Sequence, residues 1–87
     1  MNVVGDLSKL PNIGKKVEEQ LDQAGVKTPA ELIELGSRKT FERLMIIDET
    51  SCVNKLYALE GAIQGIRWHH LPEEDKKSLK EYYLSLK

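Results

Sequence analysis

One cysteine, one tryptophan and one phenylalanine in 87 residues leave little material for several kinds of chemistry. The lone thiol, Cys52, cannot close an intrachain disulfide, so a reducing compartment is the simpler assumption, and its place on an apolar helical stripe predicts burial rather than reactivity. No apolar run approaches a membrane span, and the opening MNVVGDLSKL lacks the basic region and apolar core of a signal peptide. A cytoplasmic chain without a membrane partner is expected. Charge of one sign is also missing. Lys and Arg number 13 against 14 Asp and Glu, a net charge of −1, so no overall field draws the chain to nucleic acid and any such binding must be local and weak. Catalytic pairs are absent as well. His69 and His70 are adjacent and point apart on a regular element, and no second cysteine or acid–histidine spacing completes a metal site. Glu60 has no partner acid, base or nucleophile nearby and reads as a structural acid that Gln64 or Arg67 satisfies, while no glycine set forms a phosphate loop. No catalytic residue, metal or cofactor is expected.

What is present is helical periodicity. The stretch 51–66 carries only Lys55 and Glu60 as charges and places Cys52, Leu56, Leu59, Ile63 and Ile66 on one stripe, extended by Ala58 and Ala62. Such a helix is predicted to be central and buried, with Leu56, Leu59, Ala62, Ile63 and Ile66 in the core. Gly61 and Gly65, one turn apart, predict a close crossing by another backbone, because glycine inside a helix costs roughly 1 kcal/mol against alanine. Ahead of it, Asp6 can cap a short helix bearing Leu7 and Leu10 that Pro11 ends. In the turn Pro11-Asn12-Ile13-Gly14 that follows, Asn12 and Gly14 are residue types that tolerate positive φ.

A second helix then starts near Gly14. Ile13, Val17, Leu21 and Ala24 face inward, Lys15, Lys16, Glu18, Glu19, Asp22 and Gln23 face away, and Gly25 is the stop. Thr28-Pro29-Ala30-Glu31 is a capping box opening a third helix with Leu32, Ile33 and Leu35, ended by Gly36. Ser37 is placed to cap a fourth helix with Phe41, Leu44 and Met45 inward. After Leu71-Pro72, the acids Glu73, Glu74 and Asp75 open a last helix with Leu79, Tyr82, Tyr83 and Leu86 on its inner face. No alternation reaches strand length, so residues 1–87 are predicted to form one compact all-α domain of five or six helices, with a stability of about 4–13 kcal/mol.

Leu10-Pro11-Asn12-Ile13-Gly14-Lys15-Lys16-Val17, continuing through Leu21 to Gly25-Val26, resembles the helix-hairpin-helix motif of DNA repair and replication proteins, usually Leu-Pro-Gly-Ile-Gly before a basic helix start. Asn12 replaces the first glycine, and Glu18 stands where a small residue is common. In that family, amides at the start of the second helix grip a DNA phosphate without reading bases. The resemblance assigns this role to the Ile13 and Gly14 amides, with Lys15 or Lys16 adding charge. Over roughly 7–86 the chain is similar to the C-terminal domain of the TfoX/Sxy family of bacterial competence regulators, through Leu10–Lys15, Leu35-Gly36-Ser37, the run Leu56–Trp68 and Leu71-Pro72. This implies a helix-hairpin-helix, SAM-like fold in a free-standing copy of the domain.

Two readings follow from different classes. In one, a regulatory domain touches nucleic-acid backbone, such as DNA, weakly through its hairpin. In the other, the chain is a protein-interaction or self-association module, and Tyr57, Trp68 and Tyr82 supply an aromatic partner surface.

Overall fold

Among the described residues a side-chain cap fixes one helix start, and glycines at positive φ mark three helix ends. The computed structural model describes Leu7, residues 9–49 and residues 51–86. Among these lie five α-helices, α1 (Lys15–Gln23), α2 (Pro29–Leu35), α3 (Ser37–Ile47), α4 (Val53–Gln64) and α5 (Glu73–Ser85), with a 3₁₀ turn at Trp68–His70 and no strand. Leu7 is helical and buried, whereas the expected Asp6 cap lies outside the described residues.

The capping box of α2 is complete. Thr28 accepts from the Glu31 amide, the Glu31 carboxylate accepts from the Thr28 amide, and Pro29 occupies the first turn, where a missing N–H costs nothing. Gly25, at φ +87°, ends α1 by a Schellman turn: its own amide donates to Asp22 O and the Val26 amide to Leu21 O. The expected cap at Ser37 does not form. Ser37 is the first residue of α3 and is buried, because its hydroxyl donates to Glu60 Oε1 on α4 at 2.7 Å.

Helix α4 is the centre of the molecule, packing against α2, α3, α5 and the 3₁₀ turn. Leu56, Leu59 and Ala62 are buried with Phe41 and Leu44 of α3, Leu21 of α1, Leu32 of α2 and Leu79 of α5. Ile63 and Ile66, expected deep in the core, are only half-buried at its edge. Burying side chains of this size contributes about 1.5–3 kcal/mol each. Phe41 meets Tyr83 edge-on at 5.8 Å, joining α3 to α5. Cys52 is exposed, against expectation. It is the N-cap of α4 with extended φ and ψ of −118° and 173°, so the helical phase that placed it on the stripe has not begun there. No described helix is long and apolar enough to cross a membrane.

Candidate nucleic-acid interface

The turn before α1 is built on a left-handed residue. Asn12 has φ +70°, a conformation that L residues other than asparagine and aspartate rarely enter. The Leu10 amide bonds Leu7 O at 3.0 Å and the Ile13 amide bonds Leu10 O at 3.3 Å, which folds the segment back on itself and buries the Ile13 side chain. The Ile13 amide, assigned to phosphate from sequence, is therefore engaged within the turn.

Gly14, the other residue of the turn that tolerates positive φ, is free to take one. It does not, lying at φ −89° and ψ 179° as the N-cap of α1. It makes no side-chain cap, so the amides of Lys15 and Lys16 in the first turn have neither an intrahelical nor a capping acceptor. Gly14, Lys15 and Lys16 are all exposed. The acids that sequence placed on this face are largely diverted. Glu18 is buried rather than turned outward, Asp22 pairs with Lys27 at 3.1 Å, and Glu19 stays exposed. Gln20, also buried, donates to Asp48 at 3.3 Å and accepts from Lys55 at 2.8 Å, tying α1 to the start of α4.

Asn12 is held over the C-terminal end of α4. Its Nδ2 donates to Ile66 O at 3.0 Å and lies 3.4 Å from Ala58 O, and its Oδ1 accepts from the Trp68 amide at 3.1 Å. The side chain fits because residue 61 has none. A Cβ on Gly61 would stand 2.6 Å from Asn12 Nδ2, 2.8 Å from Ile66 O and 3.1 Å from Trp68 N. The close approach predicted at Gly61 is thus made by an asparagine amide and the chain's own return, not by a crossing helix. Gly65, with open space around it, is instead the left-handed residue ending α4, at φ +77°. Neither Asn12 nor its partner Gly61 was recognised as a site residue from sequence. A polar residue at a left-handed position and a glycine inside an apolar helix were the available signals.

The same contact brings the hairpin beside the aromatic turn. Trp68 stacks on Tyr57 at 5.8 Å with planes 22° apart, and His69 covers Trp68 at 4.0 Å and 27°. Lys76 reaches over the Trp68 ring at 6.0 Å and donates to His69 O at 3.3 Å. Tyr82, grouped with Tyr57 and Trp68 from sequence, lies instead under the Arg38 guanidinium at 5.7 Å. Glu60 is held by Ser37 and by Gln64 at 2.7 Å, and Gln64 also reaches Asp75 at 3.0 Å. That network joins α3, α4 and α5 and occupies both Glu60 oxygens. Among the described residues no three His, Cys, Asp or Glu side chains come together as a metal site.

The model of the TfoX C-terminal domain matches residues 4–83. The chain belongs to the TfoX C-terminal domain family. Two crystal structures of Listeria monocytogenes proteins share its fold at TM-score 0.92. One, an uncharacterized protein in a triclinic form, is 53% identical over 93% of this chain and 92% of its own. The other, a protein of unknown function in a tetragonal form, is 52% identical over 94% of this chain and 100% of its own. No curated protein matches the chain. Within this TfoX C-terminal domain, the run Leu56–Trp68 that carried the resemblance is the core helix with its left-handed stop and the turn that Asn12 holds.

Proposed function

We propose that this TfoX C-terminal domain is a cytoplasmic, non-enzymatic regulatory domain that contacts nucleic-acid backbone weakly and without sequence preference through Gly14, Lys15 and Lys16. The observation carrying this reading is a glycine that the fold does not need. Gly14 has an ordinary φ, and a Cβ there would meet nothing within 4 Å. Serine, aspartate or asparagine would cap α1 at least as well, so glycine serves here to keep the amides uncapped and to let another backbone approach. Two exposed lysines add the charge. A role in regulating competence genes is the pathway that the family implies.

Binding to a duplex should fall in the non-specific range, Kd about 10⁻⁴ to 10⁻⁶ M, with a shallow salt slope because one or two phosphate contacts release few counterions. Lys16→Glu should weaken binding alike on all sequences. Gly14→Val should weaken it while the domain stays folded, its circular-dichroism melt falling by no more than the roughly 1 kcal/mol that a poorer N-cap costs. Absence of binding to DNA or RNA at low salt and near-millimolar protein, or indifference to both variants, would end the phosphate reading. The second reading, a protein-interaction or self-association module, is favoured by the adjacent pair Ile46 and Ile47, 85% and 39% exposed at the end of α3. Concentration-dependent sedimentation that Ile46→Lys abolishes would support it.

A further inference from the structure

The hairpin and the aromatic turn, two separate stretches of sequence, meet through one side chain. Asn12 bonds the backbone on both sides of Arg67, at Ile66 O and the Trp68 amide, so Arg67, itself exposed, stands beside the hairpin. Beside it lies a ladder of stacked rings, in which Tyr57 and His69 both pack on Trp68 and His69 is the exposed member. The groove that starts at Tyr57 is lined by Lys76, Lys77 and Lys80 against Glu73 and Glu74, which leaves its edge positive.

We propose that hairpin and ladder form one surface for single-stranded nucleic acid, the hairpin amides holding a phosphate while His69 stacks a neighbouring unpaired base. This rests on the phosphate reading above and adds a preference for strandedness. The reason is physical. Phosphate contacts alone do not favour a single strand, whose charge density is the lower, whereas an exposed flat ring gains only from a base whose face is free, and in a duplex those faces are covered by neighbouring pairs. Trp68 is not the receiving ring, because it is half-buried and Tyr57, His69 and Lys76 all lie against it. It stiffens the ladder, and Lys76, bonded to the His69 carbonyl, fixes the outer ring to α5.

The test compares a short oligothymidylate with a duplex of equal strand length at one low salt concentration. Binding is followed by fluorescence polarisation and by emission of Trp68, the only tryptophan in the chain. One stacked base is worth about 5- to 150-fold in affinity, so the single strand should bind at least about five-fold tighter and quench Trp68. His69→Ala keeps the carbonyl that Lys76 uses, and should bring the single-strand affinity down to that of the duplex or below it without changing duplex binding. His69→Phe should restore the preference, which separates stacking from histidine's charge. Lys16→Glu should weaken both probes. Equal affinities, a preference that survives His69→Ala, or failure of His69→Phe to restore it would overturn the stacking platform and leave the phosphate contact standing. Binding of neither probe would overturn both and point to a protein partner.

Discussion

Helices α1 and α4 end in the same backbone motif and use it differently. In each, a left-handed glycine donates to the carbonyl three residues back, Gly25 to Asp22 O and Gly65 to Ala62 O. In each, the next amide reaches the carbonyl five residues back, Val26 to Leu21 O at 2.8 Å and Ile66 to Gly61 O at 2.9 Å. At α1 the two residues joined by that longer bond are Leu21 and Val26, both fully buried, and the apolar pair seals the helix end. At α4 the corresponding residues are Gly61 and a half-buried Ile66, and the space that a side chain would fill holds the Asn12 amide. An apolar closure finishes an element. A polar closure brings in a distant segment, here the hairpin 54 residues away from Ile66.

The sharpest way to break this contrast is to add one carbon. Gly61→Ala places a Cβ inside contact distance of Asn12 and of Ile66 O, and only the asparagine end is free to move. Overpacking costs about 1–3 kcal/mol, and displacing the amide sacrifices its bonds, so a loss of about 3 kcal/mol is expected by urea denaturation. In the background of Asn12→Gly the same substitution should cost at least about 1 kcal/mol less, since the nearest clashing atom is gone. Additive effects in that double-mutant cycle would show that Gly61 is selected for the return of its own chain alone.

Next in size is Asn12 itself. Asn12→Ala removes the bonds to Ile66 O and the Trp68 amide and also forces alanine into the left-handed region, which costs roughly 1–2 kcal/mol. The bonds are partly buried, so their loss adds about 1 kcal/mol rather than the full penalty of a sealed site. Asn12→Gly loses only the bonds. A total near 2–3 kcal/mol for alanine and about 1 kcal/mol for glycine is expected from thermal melts. Equal destabilisation by the two would mean that backbone conformation at Asn12 is not what the side chain offsets.

These residues show where the sequence was legible. Features closed within a few positions could be read: the Thr28–Glu31 box, Gly25 as a stop, the α4 stripe from Leu56 to Ala62. Asn12 was visible as a turn former and as a departure from the usual hairpin glycine, but its partners on the far side of α4 leave no local signature. Glu18 was misplaced because charge was weighed above phase. It precedes Leu21 by three residues and so shares that helix face, and it is buried there. Ser37 was assigned by type as a cap when it answers Glu60 on another element, and Gln20, which answers Lys55, carried no local signal at all. The hairpin glycine, a residue type that tolerates positive φ, lies at an ordinary φ of −89° instead, and Asn12 alone supplies the left-handed turn.

The smallest expected effect tests whether the two helix ends are alike in everything except what closes them. Gly25 and Gly65 have φ of +87° and +77°, so alanine suffers a similar left-handed penalty at both, about 1–2 kcal/mol. Part of that is offset because alanine restricts the unfolded chain more than glycine does, by roughly 0.4–1 kcal/mol. Space does not distinguish the sites. A Cβ on Gly25 would meet the Arg43 guanidinium at 3.6 Å, an ordinary contact, and one on Gly65 would meet nothing within 4 Å. Gly25→Ala and Gly65→Ala should each cost about 1 kcal/mol and differ by less than about 0.5 kcal/mol in matched denaturant melts. The Asn12 contact should not deepen the loss at Gly65, because it grips Ile66 O and the Trp68 amide without touching the glycine. A Gly65→Ala cost well above that of Gly25→Ala would show that the left-handed turn and the asparagine latch form cooperatively. Gly61 and Gly65 would then be one device rather than two.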